Sequence, residues 1–134
     1  MLVIKRNNEC ESVSFDKIFN RINYLKNVEN YELSNNLNIH IICKKTIELM
    51  VDKIETTTLD KLSADICASM ITHHSDYSYL GARILISNLY KNLGIKYNIK
   101  SFSDITENIN NIIPNYLEPD YVDFIRHNKH ILNN

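Results

Sequence analysis

The chain opens on two short runs that suit β-strands, and from Phe15 onward its apolar positions recur at helical spacing. Leu2 to Arg6 is apolar and then basic, and Cys10 to Val13 forms the second run. Asn7-Asn8 lies between them. Asparagine tolerates the positive φ of a type I′ turn, so the pair reads as the tip of a hairpin. Ser14 stands where a helix N-cap belongs. Phe15, Ile18, Phe19, Ile22 and Leu25 then mark one face of a first helix. Asn27 to Asn38 is polar and broken, and reads as a loop. Ile39, Ile42, Cys43, Ile47 and Met50 mark a second helix. The stretch Lys53 to Thr57 has few helix formers and offers a short third strand.

Thr58 is the expected cap of a third helix carrying Leu59, Leu62, Ile66 and Met70. Ser75 is the expected cap of a fourth, from Asp76 to about Asn92. Its apolar residues, Tyr77, Leu80, Ile84, Leu85, Ile86 and Leu89, spread widely around the wheel, which places the helix centrally. Gly94 would end it as a C′ residue. A polar linker, Ile95 to Ser101, precedes a fifth helix with Phe102, Ile105, Ile109 and Ile112, stopped by Pro114. Pro119 would start a sixth, with Val122, Ile125 and Leu132 on one side. The expected fold is mainly α (α+β): a bundle of about four helices capped by a small sheet of two or three strands, then two trailing helices. The expected division is a domain over 1–93 and a linker with helices over 94–134.

Composition narrows the function classes. A chain of 134 residues with 44% hydrophobic content can bury a core without staples. Two glycines and two prolines are too few for a sandwich or barrel built on tight turns. A net charge of -1 without an evident basic face argues against nucleic acid as a partner, whereas a small anion needs only a local cluster. Cys10, Cys43 and Cys67 are far apart and lack a CxxC pair, which argues against a zinc ribbon and suits thiols in a reducing compartment. There is no signal peptide and no 18-residue apolar run, so a soluble, cytoplasmic protein with no membrane partner is expected.

The charges that carry chemistry gather near the hairpin. A nucleoside triphosphate needs cations at its phosphates, an acceptor for the amino group of its base, and polar groups for its ribose. Lys5, Arg6 and Lys17 supply cations, and the amides around Phe15 to Lys17 add the positive end of a helix dipole. Glu11 supplies an acceptor. Thr56 to Asp60 offers hydroxyls and a carboxylate. From charge pattern alone, Lys5 and Lys17 read as solvated surface. His73 and His74 are adjacent and point in different directions, so no metal site is expected. No nucleophile or second acid accompanies Glu11 and Asp16, so no catalytic residue is assigned.

Four segments tilt the balance. VIKR, a short strand and then FDKI resemble the signature of the ATP-cone, the nucleotide-sensing module at the N-terminus of the ribonucleotide reductase large subunit. TTTLDKLSADICASM is similar to the opening of that module's third helix. HHSDYSYLGARILISNLYK is similar to its "HPDY…AAR…SNLHK" helix. FSDITENI and YVDFIRHNKHILNN resemble the link towards the catalytic barrel, so the likeness covers essentially the whole chain.

The resemblance implies ATP as an activating and dATP as an inhibiting effector, with Mg²⁺. It implies a site made of Lys5, Arg6, Glu11, Ser12, Val13, Ser14, Phe15, Asp16, Lys17, Thr56, Asp60 and Lys91. Glu11 would meet the base, Lys17 and Lys91 the phosphates, and Thr56 and Asp60 the base and ribose. The implied partners are the rest of the large subunit and its oligomers and, indirectly, the small radical-generating subunit.

Asn7-Asn8 replaces the family's usual Asp-Gly, His73-His74-Ser75 replaces a His-Pro, and Gly81 replaces an alanine at a helix cost of about 1 kcal/mol. The cysteines and acid–base groups of ribonucleotide reduction are not expected in this chain. It reads as a fragment of the reductase, a split gene product or an isolated regulatory module. Two other readings are a transcriptional regulator carrying an ATP-cone, which would show a four-cysteine ribbon, and a helical interaction domain that binds no nucleotide.

Overall fold

The computed structural model describes residues 1–97 and 119–133, which fall into two compact units, Met1–Asn88 and Leu89–Asn134. The expected fifth helix, at Phe102 to Ile112, lies outside the described residues.

The first unit combines a small sheet with helices. Strand β1 (Leu2–Ile4) is central, with β2 (Cys10–Ser12) antiparallel on one side and β3 (Ile54–Glu55) parallel on the other. Val3 faces Glu11 across one ladder and Ile54 across the other. The hairpin differs from the expected type I′ turn. Lys5 N–H donates to the Glu9 carbonyl at 2.8 Å, and Asn8 N–H to the Lys5 carbonyl at 2.9 Å. Of the two asparagines only Asn8 has positive φ, at 66°. A type I′ turn needs positive φ at both central residues. Asn7 instead accepts the Glu9 N–H on its Oδ1 at 3.1 Å, and the loop is three residues long, Arg6 to Asn8. Strand β1 stops short of its expected end as a result, and Arg6 becomes a loop residue; β2 starts at Cys10 as expected and ends one residue early, at Ser12.

Helix α1 (Phe15–Lys26) starts where Ser14 caps it, with Ser14 Oγ accepting from Lys17 N–H at 3.4 Å. Asp16 in its first turn and Lys26 in its last complement the helix dipole. Helix α2 (Ile39–Leu49) is capped by Asn38, which accepts from Ile41 N–H at 3.2 Å. Helix α3 (Thr56–Ser69) begins two residues before the expected cap, Thr58. Pairing of Ile54 and Glu55 with β1 fixes where the chain leaves the sheet. Glu55 is therefore the cap residue, without a side-chain bond, and the threonines lie inside the helix.

Helix α4 (Asp76–Tyr97) passes through Gly94, which lacks the positive φ of a C′ residue and so does not end it. Ser75 stands just before it, while the Asp76 N–H is taken by His74 Nδ1 at 3.0 Å. Nor is the helix buried all round. Tyr77, Leu80, Ile84 and Asn88 form the buried stripe, whereas Leu85, Ile86 and Leu89 are about half exposed. Gly81 sits on the covered side. A Cβ there would lie 3.2 Å from the Ala64 carbonyl oxygen and 3.3 Å from Cys67 Cβ. The helix cost of this glycine is thus balanced by a close approach of α3 and α4.

Ile22, Ile42, Cys43, Cys67, Leu80 and Ile84 lie in the main core. Each fully buried large aliphatic there contributes about 1.5–3 kcal/mol. The loop from Asn27 to Asn38 is held by α4. Arg83 donates to the carbonyls of Leu25 at 2.8 Å and Tyr31 at 2.6 Å. Asp76 accepts from Ser34 N–H, and the Tyr77 hydroxyl from Asn38 N–H. Loop backbone groups need such partners.

In the second unit, α5 (Pro119–His127) buries Val122 and Ile125. Leu132 does not join that stripe as expected. The helix breaks at Asn128, whose Nδ2 donates to the Phe124 carbonyl, and Leu132 ends a separate short helix, α6 (Lys129–Leu132). No described helix is long and apolar enough to cross a membrane.

The cysteines give a direct test of this core. Burial pushes the Cys43 thiol up to about 11 and the Cys67 thiol up to about 12, while Cys10 is exposed. Only the thiolate reacts readily, so at pH 8 the two buried thiols stay protonated. Iodoacetamide is expected to label Cys10 alone in the folded chain and all three cysteines in urea, read by mass spectrometry. Rapid native labelling of Cys43 or Cys67 would contradict this packing.

Candidate functional site

A cavity of about 190 Å³ opens between the sheet and the helices of the first unit. Its apolar wall includes Val3, Ile18, Ile22, Leu59 and Ile84, and its polar lining Lys5, Glu11, Ser12, Ser14, Lys17, Arg21, Thr56, Asp60 and Ser63. The sheet explains why sequence-distant residues meet here. Strand β1 pairs with both β2 and β3, so the hairpin and the start of α3 are brought to the same side of α1.

Two carboxylates organise the charge, and each is held by two cations. Glu11 pairs with Lys5 at 2.6 Å and also with Lys17. Asp60 Oδ2 pairs with Arg21 Nη2 at 2.8 Å and Arg6 Nη2 at 3.2 Å. Arg6 reaches further, to the Thr56 hydroxyl at 3.4 Å and to Asn88 Oδ1. Four cations against two carboxylates leave a local charge of +2 in a chain of net charge -1.

The two groups differ in depth. Lys5 and Lys17 are 44% and 67% exposed, whereas Asp60 is 8% exposed. Burial draws the Arg21 guanidinium below its ordinary value; Asp60 opposes this, and the charge of Arg6 adds to it. The outer group thus suits a solvated polyanion, and the inner group suits polar, uncharged atoms next to an apolar wall.

Of the twelve residues expected at a site, Lys5, Glu11, Ser12, Val13, Ser14, Lys17, Thr56 and Asp60 line the cavity. Arg6 joins them through Thr56 and Asp60. Phe15 and Asp16 do not line it. Phe15 stacks on Phe19 and His40 instead, with ring centroids 6.3 and 6.0 Å apart. Lys91 is an exposed residue of the second unit.

Asp60 sits differently from expectation. It is the fifth residue of α3, beyond the first turn, and it is positioned by Arg6 and Arg21 rather than by the helix dipole. Sequence reasoning missed Arg21, Ser63 and Asn88. Arg21 follows Lys17 by four residues and therefore shares its helix face. Asn88 follows Ile84 by four and continues the buried stripe of α4 as a polar residue, which is itself a signal.

The family described as "ATP cone domain" matches residues 1–92. The chain is 41% identical over 91 residues to a ribonucleoside-diphosphate reductase large subunit of Dictyostelium discoideum, covering 68% of this chain and 10% of that protein. It is 40% identical over 117 residues to that of Monkeypox virus, covering 84% and 14%. It is 39% identical over 114 residues to ribonucleoside-diphosphate reductase large chain 2 of Saccharomyces cerevisiae, covering 84% and 12%. The chain therefore spans only a small part of the length of these relatives.

The shared carboxylate has a consequence for stability. Asp60→Asn keeps an acceptor oxygen but leaves two guanidiniums facing each other with no negative charge between them. Breaking a buried pair costs several kcal/mol, and partial solvent access to the arginines reduces this to about 2 kcal/mol. Urea unfolding of Asp60→Asn is expected to show that loss. Arg21→Gln in the Asp60→Asn background is expected to recover part of it. Additive losses would mean that the pair is not coupled.

Proposed function

The chain belongs to the ATP-cone family, and we propose that it binds ATP or dATP, carried with Mg²⁺, in the cavity of its first unit as an allosteric effector site. The single observation that carries this reading is the +2 cluster around an apolar recess: Lys5, Glu11 and Lys17 outside, Arg6, Arg21 and Asp60 inside. A recess of about 190 Å³ is below the usual range of about 300–1,000 Å³ for small-molecule sites. It suits the nucleoside end of the ligand, with the phosphates lying along the lysine-bearing rim. The residues present fit such a group.

Lys5 and Lys17 neutralise phosphate charge, aided by the amides at the start of α1. Bound Mg²⁺ would supply further charge neutralisation between phosphate oxygens. In this reading Glu11 exchanges its lysine partners for the base once phosphates arrive. Thr56 and Asp60 face the base and ribose, while Ser12, Val13 and Ser14 form the edge along the strand. Phe15 and Asp16 contribute backbone amides rather than side chains. Lys91 rests on the likeness of SNLYK to the family helix. ATP and dATP differ only at the ribose 2′ position, so Asp60, an acceptor next to the recess, is the natural group to sense it.

The chain would serve the large subunit of a ribonucleoside-diphosphate reductase in a reducing, cytoplasmic setting. The partners are then the rest of that subunit, its oligomers and, through them, the radical-generating subunit. The domain proper is proposed as 1–93, with 94–134 leading away from it.

Binding to the folded state raises stability by mass action. ATP and dATP at millimolar concentration with Mg²⁺ are each expected to raise the melting temperature of the chain. A folded sample that shows no shift with either nucleotide would refute the reading. Lys17 is exposed, so Lys17→Ala is expected to leave the melting temperature of the free chain nearly unchanged. It should weaken triphosphate binding by about 1.5–3 kcal/mol, the range for charge-assisted bonds. Calorimetry showing parental affinity in that variant would remove Lys17 from the site.

A further inference from the structure

Both lysines at the cavity rim are already engaged by an anion of the chain itself. Glu11 Oε2 lies 2.6 Å from Lys5 Nζ, and Glu11 Oε1 meets Lys17 Nζ. Each carboxylate oxygen thus holds one lysine. The three side chains come from different places: Glu11 from β2, Lys5 from just beyond β1, and Lys17 from the first turn of α1. Pairing of the strands sets Glu11 opposite Val3, and the period of two brings Lys5 to the same face. All three line the cavity. The Glu11 side chain is 28% exposed. A carboxylate this accessible is solvated without either lysine, so burial does not require the double pairing.

The arrangement has the chemistry of an anion site filled from within. A carboxylate and a phosphate group offer a lysine the same thing, oxygens that carry negative charge and only accept. Phosphate oxygens cannot take the lysines at full strength while Glu11 holds them, and they also meet the charge of the carboxylate. Two effects therefore oppose binding. Each exposed pair that is broken costs at most about fivefold in affinity. Two like unit charges 4 Å apart in water cost about another fivefold. Against them stands the order that Glu11 imposes on two long side chains, a smaller gain because both lysines stay exposed. We propose that Glu11 is an autoinhibitory counterion, which closes the rim of the cavity on itself and yields only to a polyphosphate that engages both lysines. For the identity of that polyphosphate this rests on the nucleotide reading above, which it deepens by making phosphate charge the condition for entry. An anion that reaches a single lysine leaves the other pair in place and keeps the carboxylate as a repelling neighbour. A triphosphate chain reaches both.

The test is calorimetric titration of the full chain with inorganic tripolyphosphate, ATP and dATP, comparing the parent with Glu11→Gln and Glu9→Gln. Glutamine keeps the shape and an acceptor oxygen but not the charge. Glu9 is exposed, lies two residues away in the same hairpin and does not line the cavity. Glu9→Gln therefore removes the same charge without touching the rim. Tripolyphosphate is expected to bind Glu11→Gln about fivefold tighter than the parent or better, and Glu9→Gln within about twofold of the parent. The sign discriminates, because loss of a merely structural contact weakens binding and release of an inhibitory one strengthens it. An unchanged or lower affinity in Glu11→Gln, an equal gain in Glu9→Gln, or no tripolyphosphate binding in any form would overturn the proposal. Tripolyphosphate affinity that rises in Glu11→Gln, with neither ATP nor dATP bound by any form, overturns the nucleotide reading and leaves the counterion standing. Should Glu11→Gln not fold, the parent labelled with ¹³C-glutamate answers the same question. The Glu11 carboxyl resonance is expected to move as tripolyphosphate saturates and to stay in place in chloride of equal ionic strength. A resonance that tripolyphosphate leaves unmoved, or that chloride moves equally, would overturn the proposal.

Discussion

The first unit depends on one carboxylate. Asp60 receives Arg6 from the hairpin loop and Arg21 from the middle of α1, and Arg6 continues to Asn88 on α4. Residues on four elements are thereby referred to a single point at the base of the cavity. A carboxylate that is 8% exposed is costly to bury unless it is paired. Here the pairing is more than sufficient, because two guanidiniums answer one negative charge. The excess is the significant part. A structural ion pair needs one cation, and the second adds repulsion, which the Thr56 and Asn88 acceptors of Arg6 offset in part.

The outer group repeats this logic in a more forgiving medium. Glu11 lies between Lys5 and Lys17, both exposed. Solvent screens such pairs, and each is worth roughly 0–1 kcal/mol. They are therefore cheap to exchange, and another anion can replace Glu11 as their counterion with little loss to the fold. The inner group is costly to disturb and so is suited to holding geometry. Depth thus separates two tasks within one recess: exchangeable charge at the rim and fixed donors and acceptors inside.

Much of this was legible in the sequence because the signals were local. Ser14 caps α1 as its position implies, and the apolar stripes of α2 and α3 are buried at the expected residues except Ile47 and Leu62, which are partly buried. Charge gathered near the hairpin did come together, with Lys5, Glu11 and Lys17 in one cluster. What failed depended on partners far along the chain. The threonine run looked like the place for a cap, yet pairing of Ile54 and Glu55 with β1 started α3 earlier. Gly94 looked like a stop, yet its φ stays negative and α4 continues. Arg21 was missed, being a polar position on an amphipathic helix. Only the approach of α3 from residues 56–69 shows it to be half of a buried pair.

The register of a three-residue strand has consequences out of proportion to its size. In β1 the side chains alternate, so Val3 points to the buried side and lines the cavity. Lys5, two residues on, shares that side by the same period of two and reaches the rim at Glu11. Arg6 escapes the alternation because the hairpin turns there; a two-residue turn at Asn7-Asn8 would have kept it in the strand, on the face opposite Lys5. Its side chain is free to run to Thr56, Asp60 and Asn88 because the loop is one residue longer than the Asn-Asn pair suggests. The left-handed conformation of Asn8 is thus what allows two consecutive basic residues to serve both layers of one site, Lys5 outside and Arg6 within.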